Sequence, residues 1–247
     1  MRRFYAAPAQ FKQQVVYLNL DESKHLRDVL RLREADEVSV FDGAGREFSC
    51  TVDKPGRGKE LAELKLIGEI KPPAPESKLR LTLAIALLKG EKFDLVIQKA
   101  AELGVSKVVP LKTKRADVKI KDEKEAAKKL DRWRRVALEA AKQCGRAVIP
   151  EISPPIEFSS FVQDVNGTRV LFAERDGASL AVFVSAHPEI VEIVAIIGPE
   201  GGWEDEEIAL ARRNGVDIIT LGGRILRAET AGITISALLQ HLYGDFN

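Results

Sequence analysis

Three prolines within four residues, Pro72, Pro73 and Pro75, divide this chain into two folding problems. Proline fixes φ and has no amide donor, so Lys71 to Ser77 cannot lie inside a helix or sheet and reads as an extended connection. A length of 247 residues suits one or two domains, and the prolines predict two, at 1–72 and 78–247. Before the prolines the pattern is mostly short strands. Val15 to Leu20 is an apolar β-rich run. Val38 to Phe41 and Glu47 to Val52 flank Asp42-Gly43-Ala44-Gly45 as a hairpin, and Leu61 to Ile70 is a further strand. One helix fits Asp21 to Leu32, with Asp21 as its cap. Short strands with one helix in about 70 residues suggest a small barrel.

After the prolines, strands and helices alternate. Leu79 to Leu88, Val105 to Leu111, Arg169 to Ala173, Val191 to Ile197 and Asp217 to Leu221 are nearly continuous apolar runs, as buried parallel strands are. Helical periodicity covers Glu91 to Leu103, Lys124 to Cys144, Trp203 to Asn214 and Arg227 to Tyr243, with Gly104 and Gly145 placed as C-terminal stops. This is the pattern of an α/β domain with a largely parallel sheet.

Composition excludes several classes. Cys50 and Cys144 are the two cysteines and form no CxxC pair, which argues against a zinc site or a disulfide framework and favours a reducing compartment. No metal site is expected. No apolar run approaches a membrane span, and MRRFYAAPAQF lacks the apolar core of a signal peptide. The expectation is a soluble, cytoplasmic protein. The net charge of +1 hides an asymmetry: residues 89–146 carry 17 Lys/Arg against 9 Asp/Glu, and residues 147–247 carry 6 against 15. Such a basic stretch is an electrostatic footprint for nucleic acid or a solvated helix face, and charge alone does not separate the two.

In parallel α/β sheets ligands bind beyond the carboxyl ends of the strands, and two strand-to-helix loops there are unusual. The first is Ile197-Gly198-Pro199-Glu200-Gly201-Gly202-Trp203. It opens a helix whose first turn is acidic, Glu204 to Glu207, a poor place for phosphate and a tolerable one for a cation. The second is Leu221-Gly222-Gly223-Arg224-Ile225-Leu226-Arg227-Ala228-Glu229-Thr230-Ala231, where two apolar residues lie between charged ones. The sequence has no GxGxxG, P-loop, HExxH or GxSxG motif, and His25, His187 and His241 are scattered.

Together GPEGGW (198–203) and LGGRILRAETA (221–231) resemble the RsmE family of ribosomal RNA methyltransferases, of the SPOUT class. LLKGEKFDLVIQKAAELGVSKVVPL (87–111) and RWRRVALEAAKQCGRAVIPEI (132–152) are similar to its methyltransferase domain. MRRFY (1–5) and HLRDVLRLREADEVSVFDGAGREF (25–48) are similar to its N-terminal RNA-binding domain. Two positions depart from the pattern: Glu204 stands where Ser or Thr is common, and Gly232 where Ala is more usual. The resemblance implies an N-terminal PUA-like β-barrel followed by a SPOUT α/β methyltransferase domain with a C-terminal trefoil knot. It implies S-adenosyl-L-methionine as methyl donor, a homodimer with the site near the subunit interface, and methylation of N3 of a decoding-region uridine in 16S rRNA, within the small ribosomal subunit.

On that reading Gly198, Pro199, Glu200, Gly201, Gly202, Leu221, Gly222, Gly223, Ile225, Leu226 and Ala231 bind the cofactor. Uridine N3 must lose a proton as the methyl arrives, which calls for a base or a stabiliser of the anion. Arginine cannot be the base. Arg227 and Arg224 are therefore candidates to stabilise charge on the uridine oxygens, with Glu229 the first choice of base and Glu200 the second. A capping role beside an Arg is an equal reading of Glu229. RNA contacts are expected from Arg2, Arg3, Arg27, Arg31, Lys89, Arg115 and Arg146, with Lys89 and Arg115 near the cleft because each follows a strand end. Trp133 fits the buried stripe of its helix. Two other readings stay open: a SPOUT methyltransferase acting on another rRNA or tRNA base, and a non-catalytic RNA-binding assembly factor.

Overall fold

The computed structural model describes residues 2–164 and 166–246. It divides into two compact units, Met1–Glu76 with Ala141–Ile149, and Ser77–Ala140 with Pro150–Asn247.

In the first unit β1 (Arg2–Tyr5), β2 (Phe11–Lys12), β3 (Val15–Tyr17), β4 (Glu37–Phe41), β5 (Glu47–Lys54) and β6 (Glu63–Ile70) make one six-stranded sheet in the order β1-β4-β5-β6-β3-β2. The expected hairpin is β4–β5, antiparallel, its loop held by Asp42 Oδ1 accepting from the amides of Ala44 and Arg46 at 2.8 and 3.1 Å. Phe4, Val16, Leu18, Leu26, Val38, Val40 and Leu64 fill the core. The expected helix over 21–32 is shorter. α1 spans Leu20–Lys24 and gives way to a π-helical turn over His25–Val29. Its cap is Asn19, whose side chain accepts from the Glu22 amide at 2.8 Å, and Asp21 lies inside the first turn. Arg31, at φ +54°, stops any continuation. β1 escaped the sequence reading because four residues with two arginines show no usable alternation.

Ala141–Ile149 joins this unit through buried charge. Arg3 pairs with Glu47 at 3.0 Å and donates to the carbonyls of Ala141, Lys142 and Arg146. Arg146, only 4% exposed, pairs with Glu76 at 2.6 Å. Both guanidiniums are engaged inside the protein, so Arg3 and Arg146 are not available as RNA contacts, contrary to the expectation from charge. Sequence counting registers a positive charge but not the carboxylate that folding brings to it.

In the second unit the strands are β7 (Arg80–Ala86), β8 (Lys107–Lys112), β9 (Glu151–Ile152), β10 (Ile156–Glu157), β11 (Thr168–Phe172), β12 (Ala178–Ser179), β13 (Glu192–Ile197) and β14 (Asp217–Thr220). The helices are α2 (Lys92–Glu102), α3 (Glu123–Cys144), α4 (Phe158–Asp164), α5 (Leu180–Ala186), α6 (Asp205–Arg213) and α7 (Ala228–Tyr243). The strands run β10-β8-β7-β13-β11-β14-β12, with β9 also on β8, and the pairs are parallel. Parallel strands buried on both faces explain the unbroken apolar runs. Trp133 is buried against Phe93, ring centroids 4.5 Å apart. Gly232 of α7 faces β7: a Cβ there would lie 3.0 Å from Ile85 Cδ1, so its departure from Ala lets the helix close on the sheet. No helix among the described residues is long and apolar enough to cross a membrane, and no cluster of metal-ligating side chains occurs among them.

Candidate functional site

The parallel sheet puts the carboxyl ends of β11, β13 and β14 at one edge, where both glycine loops begin. They enclose a cleft of about 300 Å³. β11 contributes Phe172 and the following Ala173 and Glu174. From the end of β13 come Ile197 to Glu200, Gly202 and Trp203. From the end of β14 the wall runs from Thr220 to Arg227, and α7 adds Ala228, Ala231 and Ile235.

Trp203 is the floor that orders the first loop. It is buried, its Nε1 donates to the Phe172 carbonyl at 3.0 Å, and its ring packs at a tilt against Phe158, centroids 4.8 Å apart. This ties the loop after β13 to the end of β11. Gly198 is required by that packing, because a Cβ there would sit 2.8 Å from Trp203 Nε1 and 2.9 Å from Cε2. Gly198→Ala is expected to push the ring and strain its hydrogen bond, destabilising the fold by about 1–3 kcal/mol. Thermal unfolding should show it, and an unchanged melting temperature would mean that the ring yields freely.

A second set of contacts holds the outer side of the loop. Arg115, beyond β8, pairs with Glu204 at 2.7 Å and donates to the Gly201 carbonyl at 3.2 Å. Lys114 pairs with Glu206, and its amide donates to Glu207 at 3.1 Å. These hydrogen bonds raise both cations above their ordinary values and lower Glu206 below the usual carboxylate range. Glu204 therefore departs from the Ser/Thr pattern with a reason: it receives Arg115, and Glu207 accepts from its amide at 3.0 Å.

On the inner side, Lys92 Nζ lies 3.0 Å from Glu200 Oε1 and 3.6 Å from Glu229 Oε1. The hydrogen bond to Glu200 raises Lys92 above the ordinary lysine value. Glu229 has a side chain 12% exposed, and its Oε2 is buried with no hydrogen-bond partner among the described residues.

Gly198, Pro199, Glu200, Gly202, Leu221, Gly222, Gly223, Ile225, Leu226, Ala231, Arg224 and Arg227 all line the cleft. Gly201 does not; it abuts Arg115. Glu229 does not either, since its carboxylate is directed to Lys92. Arg224 and Arg227 are exposed and form no ion pair among the described residues, which leaves two free guanidiniums at the rim. Ile225 is 81% exposed. Lys89 and Arg115 are outside the lining. The sequence reading missed Phe172, Ala173, Glu174, Thr220 and Ile235. The strand-end rule that selected the two glycine loops also applied to the end of β11, but no glycine run marks it.

The profile of an RNA methyltransferase domain matches residues 75–240, and that of an RNA methyltransferase PUA domain matches residues 18–65. Ribosomal RNA small subunit methyltransferase E of Synechocystis is 35% identical over 96% of this chain and 78% of its own length. The protein of the same name from Mesomycoplasma hyopneumoniae is 38% identical over 85% of this chain and 86% of its own. The crystal structure of ribosomal RNA small subunit methyltransferase E from Neisseria gonorrhoeae, bound to S-adenosyl methionine, superposes with a TM-score of 0.88. It is 32% identical, with 100% of each chain covered.

Proposed function

Because this chain belongs to the ribosomal RNA small subunit methyltransferase E family, we propose that it methylates N3 of a decoding-region uridine in 16S rRNA, conventional position 1498, within the small ribosomal subunit. The enzyme is an S-adenosylmethionine-dependent rRNA methyltransferase with a PUA-like N-terminal domain. The observation that carries the finer reading is the cleft itself: two glycine loops close on one apolar space, with two unpaired guanidiniums at its rim.

The residues present fit S-adenosylmethionine. Ile197, Leu221 and Leu226 give apolar walls for a flat base, and Gly222 and Gly223 leave backbone open, a Cβ at either meeting nothing within 4 Å. Glu200 on the lining and the acidic turn of α6 suit a cation and disfavour phosphate. When bound, the cofactor supplies an electrophilic methyl group.

The chain's own residues supply alignment and charge. Arg227 and Arg224 stabilise the negative charge that develops on the uridine oxygens as N3 is deprotonated. Of the two carboxylates proposed from the sequence, Glu200 lines the cleft and accepts that proton; Glu229, first choice on sequence, lies off the lining and is assigned a holding role. N3 lies on the pairing edge, so the uridine must be unpaired or flipped out to reach the cleft. Residues 1–72 bind RNA as a PUA-like barrel, with Arg2, Arg27 and Arg31 as phosphate contacts, and residues 78–247 form the catalytic domain. Lys89 and Arg115 remain candidate RNA contacts on the catalytic domain. The family resemblance supports a trefoil knot, a homodimer with the site near the subunit interface, and a cytoplasmic location.

The test is transfer of labelled methyl from S-adenosylmethionine to small subunits lacking the modification, followed by nucleoside mapping. N3-methyluridine in the decoding region is expected. Methyl on another base would move the target, and RNA binding without cofactor binding would favour an assembly factor.

A further inference from the structure

We infer that Lys92 is a positioning residue that clamps the two glycine loops to each other, through Glu200 on one and Glu229 beyond the other, and so sets how tightly the cleft holds its cofactor. The inference rests on the proposed function.

Three observations carry it. The first is the placement of Lys92. It is the first residue of α2, where the helix dipole disfavours a cation, and no side chain caps that end. Local helix stability gives no reason for lysine there, so its reason is tertiary. The second is convergence. Nζ lies 3.0 Å from Glu200 Oε1 and 3.6 Å from Glu229 Oε1, and these carboxylates follow β13 and β14, two strands separated by β11. One ammonium therefore spans both loops from a third element. The third is the state of Glu229. Its side chain is nearly buried, its Oε2 has no hydrogen-bond partner, and Lys92 is its one counter-charge among the described residues. A carboxylate so placed depends on that cation, because burying a charge without a partner is costly.

The consequence falls on the cleft. Glu200 is part of its wall, and Ala228 and Ala231, on either side of Glu229, are part of it too. Releasing Lys92 frees one wall at Glu200 and leaves an unpaired charge next to the other. The remaining contacts of the first loop, Trp203 with Phe172 and Arg115 with Gly201, do not reach α7 and cannot substitute.

The experiment measures S-adenosylmethionine affinity by calorimetry alongside kcat and KM for the full chain. Lys92→Met is expected to weaken cofactor binding about tenfold, with a smaller change in kcat at saturating cofactor. Lys92→Arg, which keeps a cation able to reach both carboxylates, should recover most of the affinity. Glu229→Gln should weaken binding severalfold, and adding it to Lys92→Met should cost much less than the two effects multiplied, since both break one clamp. Lys92→Met binding as wild type overturns the inference, as does full additivity with Glu229→Gln. If Lys92→Met does not fold, Lys92→Arg and Glu229→Gln decide it: wild-type affinity in Glu229→Gln, or a loss in Lys92→Arg deeper than that in Glu229→Gln, overturns it. Failure of the wild-type protein to bind the cofactor would instead sink the proposed function.

Discussion

Arg227→Gln is expected to lower the turnover of methyl transfer by about 10²–10³-fold, the loss typical of one preorganised charge stabiliser. Arg227 lines the cleft, is exposed and has no ion-pair partner among the described residues, so its charge is free for the substrate. It is also the cap residue of α7, with an extended backbone (φ −63°, ψ 150°), which places the side chain beside the loop and not within the helix. In the proposed reaction negative charge grows on the uridine oxygens as N3 gives up its proton, and a fixed cation lowers the energy of that state more than that of the neutral uridine. Glutamine keeps a hydrogen-bond donor and removes the charge. Affinity for the cofactor should therefore change little, and kcat should fall together with kcat/KM for RNA. A variant with wild-type kcat and a raised KM for RNA would make Arg227 a binding residue and leave Arg224 as the stabiliser.

The second large effect is structural. Arg3→Met is expected to destabilise the N-terminal unit by about 3–5 kcal/mol, because it leaves a buried carboxylate without its partner. Glu47 is 1% exposed and pairs with Arg3, itself 10% exposed, at 3.0 Å. The same guanidinium donates to the carbonyls of Ala141, Lys142 and Arg146 and stacks on Phe41, its carbon 4.0 Å from the ring centroid. Ala141 and Lys142 lie in the last turn of α3, where carbonyls have no partner within the helix. One side chain thus neutralises a carboxylate, caps a helix and fixes Ala141–Ile149 to its unit. Thermal unfolding should show a melting point lower by about 6–20 °C. The double variant Arg3→Met, Glu47→Leu should recover part of the loss, since replacing a whole buried pair by apolar groups is often neutral. A melting point within a degree of wild type would show that water or another cation reaches Glu47 at little cost.

The two architectures were legible because their signals are local. Three prolines cannot be accommodated in a helix or sheet interior. A fully buried parallel strand must be apolar throughout, so β7, β8, β11, β13 and β14 were each found to within a few residues. The two glycine loops were legible because glycine, proline and charge crowd into strand ends where ordinary turns have no use for them. Asn19 was passed over as a cap because Asp21 offers the same chemistry two residues later. Only the observed start of α1 at Leu20 distinguishes them. The short β9, β10 and β12, two residues each, are defined by pairing to neighbours and have no periodicity to detect.

Charges were legible as counts and not as roles. Arg3, Arg115, Arg146 and Arg227 are one residue type in the sequence. Folding sends two of them inside to Glu47 and Glu76, ties the third to Glu204, and leaves the fourth free at the cleft. The same holds for Glu200 and Glu229, both beside Lys92, one in the cleft wall and one outside it. Local propensity and periodicity depend on residues a few positions apart, and these made the linker, the long strands, most helices and the two glycine loops readable. An ion pair depends on which distant residue arrives within 4 Å, with separations here of 44, 70, 89 and 108 positions. Which charges hold the protein together and which remain for its substrate is settled by folding, which brings those distant partners into contact.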